Sequence, residues 1–221
     1  MSSLNQNTWS NWSGLQKSQP QQIFQPAHVS ELQNMVREQQ KIRVVGAGHS
    51  FSPLVCTDVT LLSLDHISGV ASFDAERCQS RVYAGTRLYD LDQHLAPINQ
   101  ALMNQGDIDQ QSLAGAVSTG THGTGADLHC ISRYVESFEL LTAAGDLLNC
   151  SRSENAEIFA AGRVSLGSLG ILTQINMQNR PRYKLKEHIE LCPVADMMQH
   201  IQQWKLEHRH IECFVFAHSQ Q

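Results

Sequence analysis

The chain has 221 residues, with 16 basic and 21 acidic side chains and a formal net charge of −5. This acidic balance excludes nucleic acid and anionic membrane surfaces as main partners, since both select basic chains. The length suffices to bury a core without disulfide or metal staples, and no run of about 18 apolar residues exists to form a transmembrane helix.

Residues 1–25 are polar and Gln-rich, with no apolar stretch of the kind a secretory signal carries. They predict an irregular arm whose Trp9 and Trp12 pack onto the body. Pro26 then precedes a helix with Val29, Leu32, Met35 and Val36 at helical spacing. Residues 42–45 predict a short buried strand running into Gly46-Ala47-Gly48, and residues 60–65 a second strand. A hairpin joins residues 69–73 to 81–84. Thr86 is the expected cap of a helix carrying Leu88, Leu91 and Leu95, disturbed at Pro97. A long stretch with little periodicity, 106–127, follows. Residues 135–142 and 147–151 then form a second hairpin around Ala143-Ala144-Gly145-Asp146. Residues 156–162 make a short helix with Ser151 and Glu154 as a capping box, and residues 171–177 alternate as a strand. From Tyr183 the pattern restarts: a strand over 183–191, a helical stripe of Val194, Met197, Met198, Ile201 and Trp204, and a strand over 211–215. This order lacks the β-α-β-α rhythm of a doubly wound sheet and predicts an α+β domain of two lobes. The last β-α-β unit is too small to bury its own apolar face and reads as the opening of a further domain.

The six cysteines are scattered, with no C-x-x-C pair, and predict reduced, buried thiols in a cytoplasmic protein. His200, His208 and His210 are expected at the surface around a helix end. His122, His129 and Cys130 are candidate metal ligands, but their spacing matches no zinc pattern.

Two glycine clusters carry the chemistry. The first is Val45-Gly46-Ala47-Gly48-His49-Ser50-Phe51-Ser52. A dinucleotide fingerprint with Asp65 as its acid is rejected here. Phe51 stands where the third glycine belongs, and Ser52-Pro53 blocks a following helix. What remains is a tight turn whose successive backbone N–H groups form a nest for a phosphate without a side-chain cation, or an ordinary strand-ending turn. The second cluster, residues 106–125, holds five glycines and five Ser or Thr residues without a Lys or Arg. Its Ile108, Leu113, Ala114, Ala116 and Val117 call for burial, which argues against a surface linker. Two such segments point to an extended, phosphate-bearing ligand such as a dinucleotide.

Three ordered blocks, residues 44–52, 115–125 and 166–171, make the chain similar to the FAD-binding half of the vanillyl-alcohol-oxidase flavoprotein superfamily. It most resembles the sugar-lactone oxidase branch, which includes gulonolactone and arabinonolactone oxidases, with alditol oxidase nearby. The resemblance implies a two-lobed α+β FAD-binding domain of the PCMH type over residues 14–183. An arm, 1–13, precedes it, and the start of a truncated substrate (cap) domain, 184–221, follows. Val45, Gly46, Ala47, Gly48 and Ser50 match the loop around the FAD pyrophosphate, and His49 matches the histidine joined covalently to the flavin 8α carbon. Ser112, Gly115, Thr119, Gly120, Thr121 and His122 match the second block, and Gly170 and Ile171 the block near the adenine. Gly106 matches an oxygen gatekeeper, where the absence of a side chain implies an oxidase.

The function so implied is oxidation of a hydroxyl of a sugar lactone or polyol by hydride transfer to FAD, with molecular oxygen giving hydrogen peroxide. The general base is not identifiable from the sequence. Two alternatives stay beside it: a non-catalytic FAD-binding module or fragment, and a metal-dependent hydrolase using His122 and His129. The expected location is the cytoplasm, with peripheral membrane association compatible with the family.

Overall fold

The computed structural model describes residues 7–216 and residue 218. The element order is β1 (Trp9–Ser10), β2 (Lys17–Ser18), β3 (Gln22–Phe24), α1 (Val29–Glu38), β4 (Ile42–Val45), β5 (Thr60–Ser63), β6 (Val70–Asp74), β7 (Gln79–Tyr83), α2 (Leu88–Leu95), β8 (Gln100–Leu102), α3 (Leu113–Ser118), β9 (Val135–Leu141), β10 (Leu147–Ser151), α4 (Ala156–Gly162), β11 (Ile171–Pro181) and α5 (Val194–Glu207).

The expected two lobes are present. In the first, β3, β5 and β4 form a parallel three-stranded sheet in that order. All four residues of β5 are buried, as the middle strand of a covered parallel sheet should be. In the second, an antiparallel sheet runs β10-β9-β11-β7-β6, with β8 also paired to β11. One apolar core joins the lobes, from Leu32 and Val36 of α1 and Leu62 of β5 through Leu88, Leu91 and Leu95 of α2 to Phe138, Ile175 and Met177 of the large sheet. The helical stripes of α1 and α2 seen in the sequence are the faces that it covers.

Several local expectations change. The arm is not wholly irregular: β1 and β2 pair antiparallel, and residues 22–24 form a strand. Thr86 does not cap α2. Its Oγ1 accepts from Gly69 N–H (2.9 Å) and donates to the Tyr83 carbonyl (2.7 Å), so it ties off the β6–β7 end and leaves Arg87 at the N-cap. Ser151 and Glu154 do not cap α4. Ser151 Oγ accepts from Glu154 N–H (3.1 Å) in a turn ahead of the helix, and the N-cap is Asn155 in the left-handed region. The stretch 106–127 contains α3, a helix too short for periodicity to register. Ile108 is exposed, whereas Leu113, Ala116 and Val117 are buried as expected.

The largest departure is at the C-terminal end. Residues 183–191 and 211–215 form no strand, and Leu185, Ile189, Leu191, Phe214, Val215 and Phe216 are exposed. Alternation makes a strand only where a sheet edge supplies backbone partners, and no described edge does so. Only α5 forms there, with none of its residues buried. His210 is not a surface decoration. Its Nδ1 lies 3.1 Å from Thr124 Oγ1, and its Nε2 is buried without a described partner. Arg209 reaches the Met103 carbonyl (3.1 Å) and, with Arg180, stacks on Tyr183. All six cysteines are unpaired, but only Cys150 is buried.

Candidate functional site: a cation-free cleft between two glycine loops

Strand β4 delivers the chain to Gly46 at the rim of a cleft of about 600 Å³. That is the size of a cofactor site. Its walls bring together Val45, Gly46, Ala47, Gly48, His49 and Ser50 from the first loop. Ser112, Gly115 and Thr119 enter from the second, and Gly170 and Ile171 from the third. These are eleven of the residues expected at the cofactor. Gly106, Gly120, Thr121 and His122 do not line it. The exposed His122 Nδ1 lies 3.0 Å from the Gly123 carbonyl. Gly106 backs onto the His122 carbonyl, which would sit 3.0 Å from a Cβ placed there. The sequence reading missed Trp9, Leu64, Asp65, Gly85 and Gln111, all on the walls. Asp65 came into view only with the rejected fingerprint. It lies on the cleft wall at the end of β5, held by Arg87 Nη2 at 2.6 Å.

The first loop is held from outside. Four successive carbonyls, those of residues 48–51, accept hydrogen bonds from the N-terminal arm. Trp12 N–H donates to Gly48 (3.1 Å), Trp12 Nε1 to His49 (3.0 Å), Asn11 Nδ2 to Ser50 (2.9 Å) and Gln16 Nε2 to Phe51 (3.0 Å). In a trans peptide the N–H opposes the carbonyl. The N–H groups on those four peptides, of residues 49–52, are therefore turned away from the arm, and that of Ser52 donates to Ser50 Oγ (3.1 Å). Among the described residues, the N–H groups of Ala47, Gly48, His49 and Ser50 donate to nothing. Such a run of free donors is a nest for an anion.

Glycine is required at the nest for two reasons. Gly48 has φ +66°, a left-handed conformation costly for other residues, and Trp9 Cζ2 lies 3.3 Å from where its Cβ would be. At Gly46 a Cβ would overlap Ser112 Oγ, so the two loops touch there. Gly85 is likewise forced, because its Cβ would overlap the Leu64 carbonyl.

The second loop is occupied with itself. Ser112 Oγ caps α3 by accepting Gly115 N–H (3.3 Å). Ala114 N–H donates to Ala84, Ala116 to Ser112, Thr119 to Gly115 and Thr121 to Ala116. Thr119 Oγ1 donates to the Gly115 carbonyl (2.8 Å), and Gln111 Nε2 to Thr121 Oγ1 (3.0 Å).

No Lys or Arg lines the cleft. Among the described residues, no group of three or more His, Cys, Asp or Glu side chains is placed to hold a metal ion, and no helix is long and apolar enough to cross a membrane. His129 meets Tyr134 instead, its backbone N–H donating to the phenolic oxygen (3.1 Å), and Cys130 Sγ lies 3.1 Å from Ser132 Oγ.

A run of unpaired backbone N–H groups, a cation-free cleft and apolar walls at Val45, Leu54, Val55, Leu64 and Leu172 are what a site for a large nucleotide cofactor requires. Residues 20–151 match the FAD binding domain family, and the chain belongs to it. It is 34% identical over 215 residues to an L-gulono-1,4-lactone dehydrogenase of Mycobacterium tuberculosis, covering 96% of this chain and 50% of that protein. An L-gulonolactone oxidase of Scyliorhinus torazame is 33% identical, with 87% of this chain and 46% of the relative covered. A D-arabinono-1,4-lactone oxidase of Candida albicans is 32% identical, with 95% and 41% covered. The chain thus spans about half the length of the curated relatives it matches. The crystal structure of 6-hydroxy-D-nicotine oxidase from Arthrobacter nicotinovorans shares the fold, with a TM-score of 0.69 at 23% identity over 80% of this chain and 39% of that one.

Proposed function

We propose that this chain holds FAD in the cleft, joined through His49, and forms the cofactor half of an enzyme that oxidises a hydroxyl of a sugar-1,4-lactone or an alditol. The observation that carries the proposal is the free N–H run over residues 47–50, tied back from outside and ending beside a histidine. Bound FAD supplies the hydride acceptor. The chain's own residues do the rest. The N–H groups of residues 47–50 hold the pyrophosphate without a cation. Ser112 keeps α3 in register against Gly46. Ser118, Thr119, Gly170 and Ile171 close the cleft from the other wall.

The lactone substrate class is drawn from the relatives. They include both a dehydrogenase and oxidases. We take molecular oxygen as the acceptor, giving hydrogen peroxide, on the oxidases among those relatives; Gly106 lies off the cleft wall against the His122 carbonyl, and its role as an oxygen gatekeeper comes from the family resemblance. In Gly106→Ala, stopped-flow reoxidation of reduced flavin by oxygen is expected to slow by about 10-fold or more, a barrier increase of about 1.4 kcal/mol. An unchanged rate removes the gatekeeper role of Gly106. The six unpaired cysteines support a cytoplasmic setting.

The test of the linkage is simple. The chain is saturated with FAD and precipitated with acid, and flavin absorbance is sought in the pellet. Wild type is expected to keep it, and His49→Ala to release it while still binding FAD before precipitation. Colour that leaves wild type with the supernatant overturns the linkage.

A second reading is a module that binds FAD and turns nothing over alone. The exposed apolar residues from Leu185 to Phe216 favour it. Incubating the loaded chain with L-gulono-1,4-lactone and oxygen, and assaying peroxide, separates the two.

A further inference from the structure

We propose that Trp12 is a positioning residue for attachment of the flavin, and that the N-terminal arm is the device that aims the His49 imidazole. The proposal rests on the His49 linkage argued above.

The indole of Trp12 lies parallel to the His49 imidazole, with ring centroids 5.4 Å apart and 7° between planes. The same side chain donates from Nε1 to the His49 carbonyl, and its backbone N–H donates to Gly48. One residue therefore fixes both the ring plane and the peptide of the histidine. Phe51 meets the indole edge-on, 5.4 Å away at 69°. The arm is itself braced. Asn11 is 3% exposed, and its Oδ1 accepts from Gln16 N–H (3.0 Å) and Ser13 Oγ (3.3 Å) while its Nδ2 holds Ser50. The β1–β2 pairing closes the arm on itself.

Histidine rings are usually oriented by a hydrogen bond to one nitrogen, which commits that nitrogen and sets the tautomer. His49 has no such bond among the described residues. It is oriented by its face, so both ring nitrogens stay free while the plane is fixed. Attachment needs this arrangement, because one imidazole nitrogen must present its in-plane lone pair to the 8α carbon at close range. In the net step a C–N bond forms between that nitrogen and the 8α carbon. One hydrogen leaves the 8α carbon and one leaves the imidazole. Their two protons and two electrons end on the flavin ring, and oxygen removes them as hydrogen peroxide. Trp12 is 56% exposed and is not part of the cleft wall, so its removal changes aim without opening the cavity.

The experiment follows the time course of acid-stable flavin on the full apo chain after FAD is added, with total FAD bound before acid measured in parallel. In Trp12→Ala the rate of acid-stable incorporation is expected to fall by about 10-fold or more, as misplacement of a reacting group does. At saturating FAD the total bound is expected to stay near wild type, because the ties from the residue-12 backbone N–H, Asn11 and Gln16 to the loop remain. Trp12→Phe keeps the stacking face and is expected to recover most of the rate. Wild-type incorporation in Trp12→Ala overturns the proposal. So does a loss of total FAD in step with the acid-stable fraction in both variants, since that marks a structural role only. Wild type without acid-stable flavin brings down the linkage and this proposal together, whereas a failure confined to Trp12 leaves the linkage standing.

Discussion

The two glycine loops are alike in composition and opposite in state. Both are rich in small and hydroxyl residues and free of Lys and Arg over residues 46–52 and 106–125. The second spends its backbone donors on α3 and its flanks: the N–H groups of residues 113–116 and 119–121 all bond within the protein. The first donates nothing from residues 47–50, and the arm turns the N–H groups of His49 and Ser50 away from itself by engaging the carbonyls of their peptides. Composition therefore marks a loop as able to approach a ligand closely, but hydrogen-bond accounting decides which loop is the cradle. On this reading the second loop is the wall against which the first is set, with Gly46 and Ser112 as the point of contact.

Substitutions can break or sharpen that contrast. The largest effect is expected at Gly48→Ala. A left-handed φ costs a non-glycine residue about 1–2 kcal/mol, and the new methyl presses on Trp9. FAD affinity, read by quenching of flavin fluorescence, should fall by at least ~10-fold. Unchanged affinity would mean that the first loop is not the cradle.

Ser112→Ala comes next, and it should act on stability rather than on binding. Loss of the N-cap is expected to cost about 1 kcal/mol, seen in thermal melts of the FAD-free chain. FAD affinity should change less than stability does. The reverse order would place the Ser112 hydroxyl on the ligand itself.

Arg87→Gln should be smaller. The Arg87–Asp65 pair is partly exposed, so its loss costs about 0–1 kcal/mol of stability. It also leaves an unpaired carboxylate on the cleft wall, and FAD affinity should drop more at low than at high salt, since ions screen the repulsion. A salt-independent effect would show that Asp65 does not face the ligand.

The smallest effect concerns thiols remote from the cleft wall. Burial, with Glu154 adding to it, pushes the Cys150 thiol up. Because the thiolate is the reactive form, native protein treated with iodoacetamide at neutral pH should be alkylated at the exposed Cys213 and spared at Cys150. Mass spectrometry reads both sites. Alkylation at Cys150 at the rate of Cys213 would show that the β9–β10 hairpin opens.

Much of the body was legible in the chain. The apolar spacing in α1, α2 and both hairpins placed those elements within a few residues, because each buries one face on a common core. His49 and the glycines around it were legible as a motif. Less legible were short elements without a period of their own. Strand β8 exists because β11 offers an edge at residues 179–181, and α3 because Ser112 caps six residues. The strands expected at 183–191 and 211–215 failed for the same reason in reverse: their alternation was real, but no described edge received them.

By itself, the sequence determined which segments are apolar-faced, where glycine permits a left-handed turn, and that the ligand site would lack cations. These are local properties, set by side-chain chemistry and backbone sterics. Only the tertiary structure decided which N–H groups remain unpaired. It also placed Asp65 and Gly85 on the cleft wall and laid Trp12 flat against His49 from 37 residues away. Those outcomes depend on what lies on the far side of each peptide and ring, and residue spacing along the chain carries no record of it.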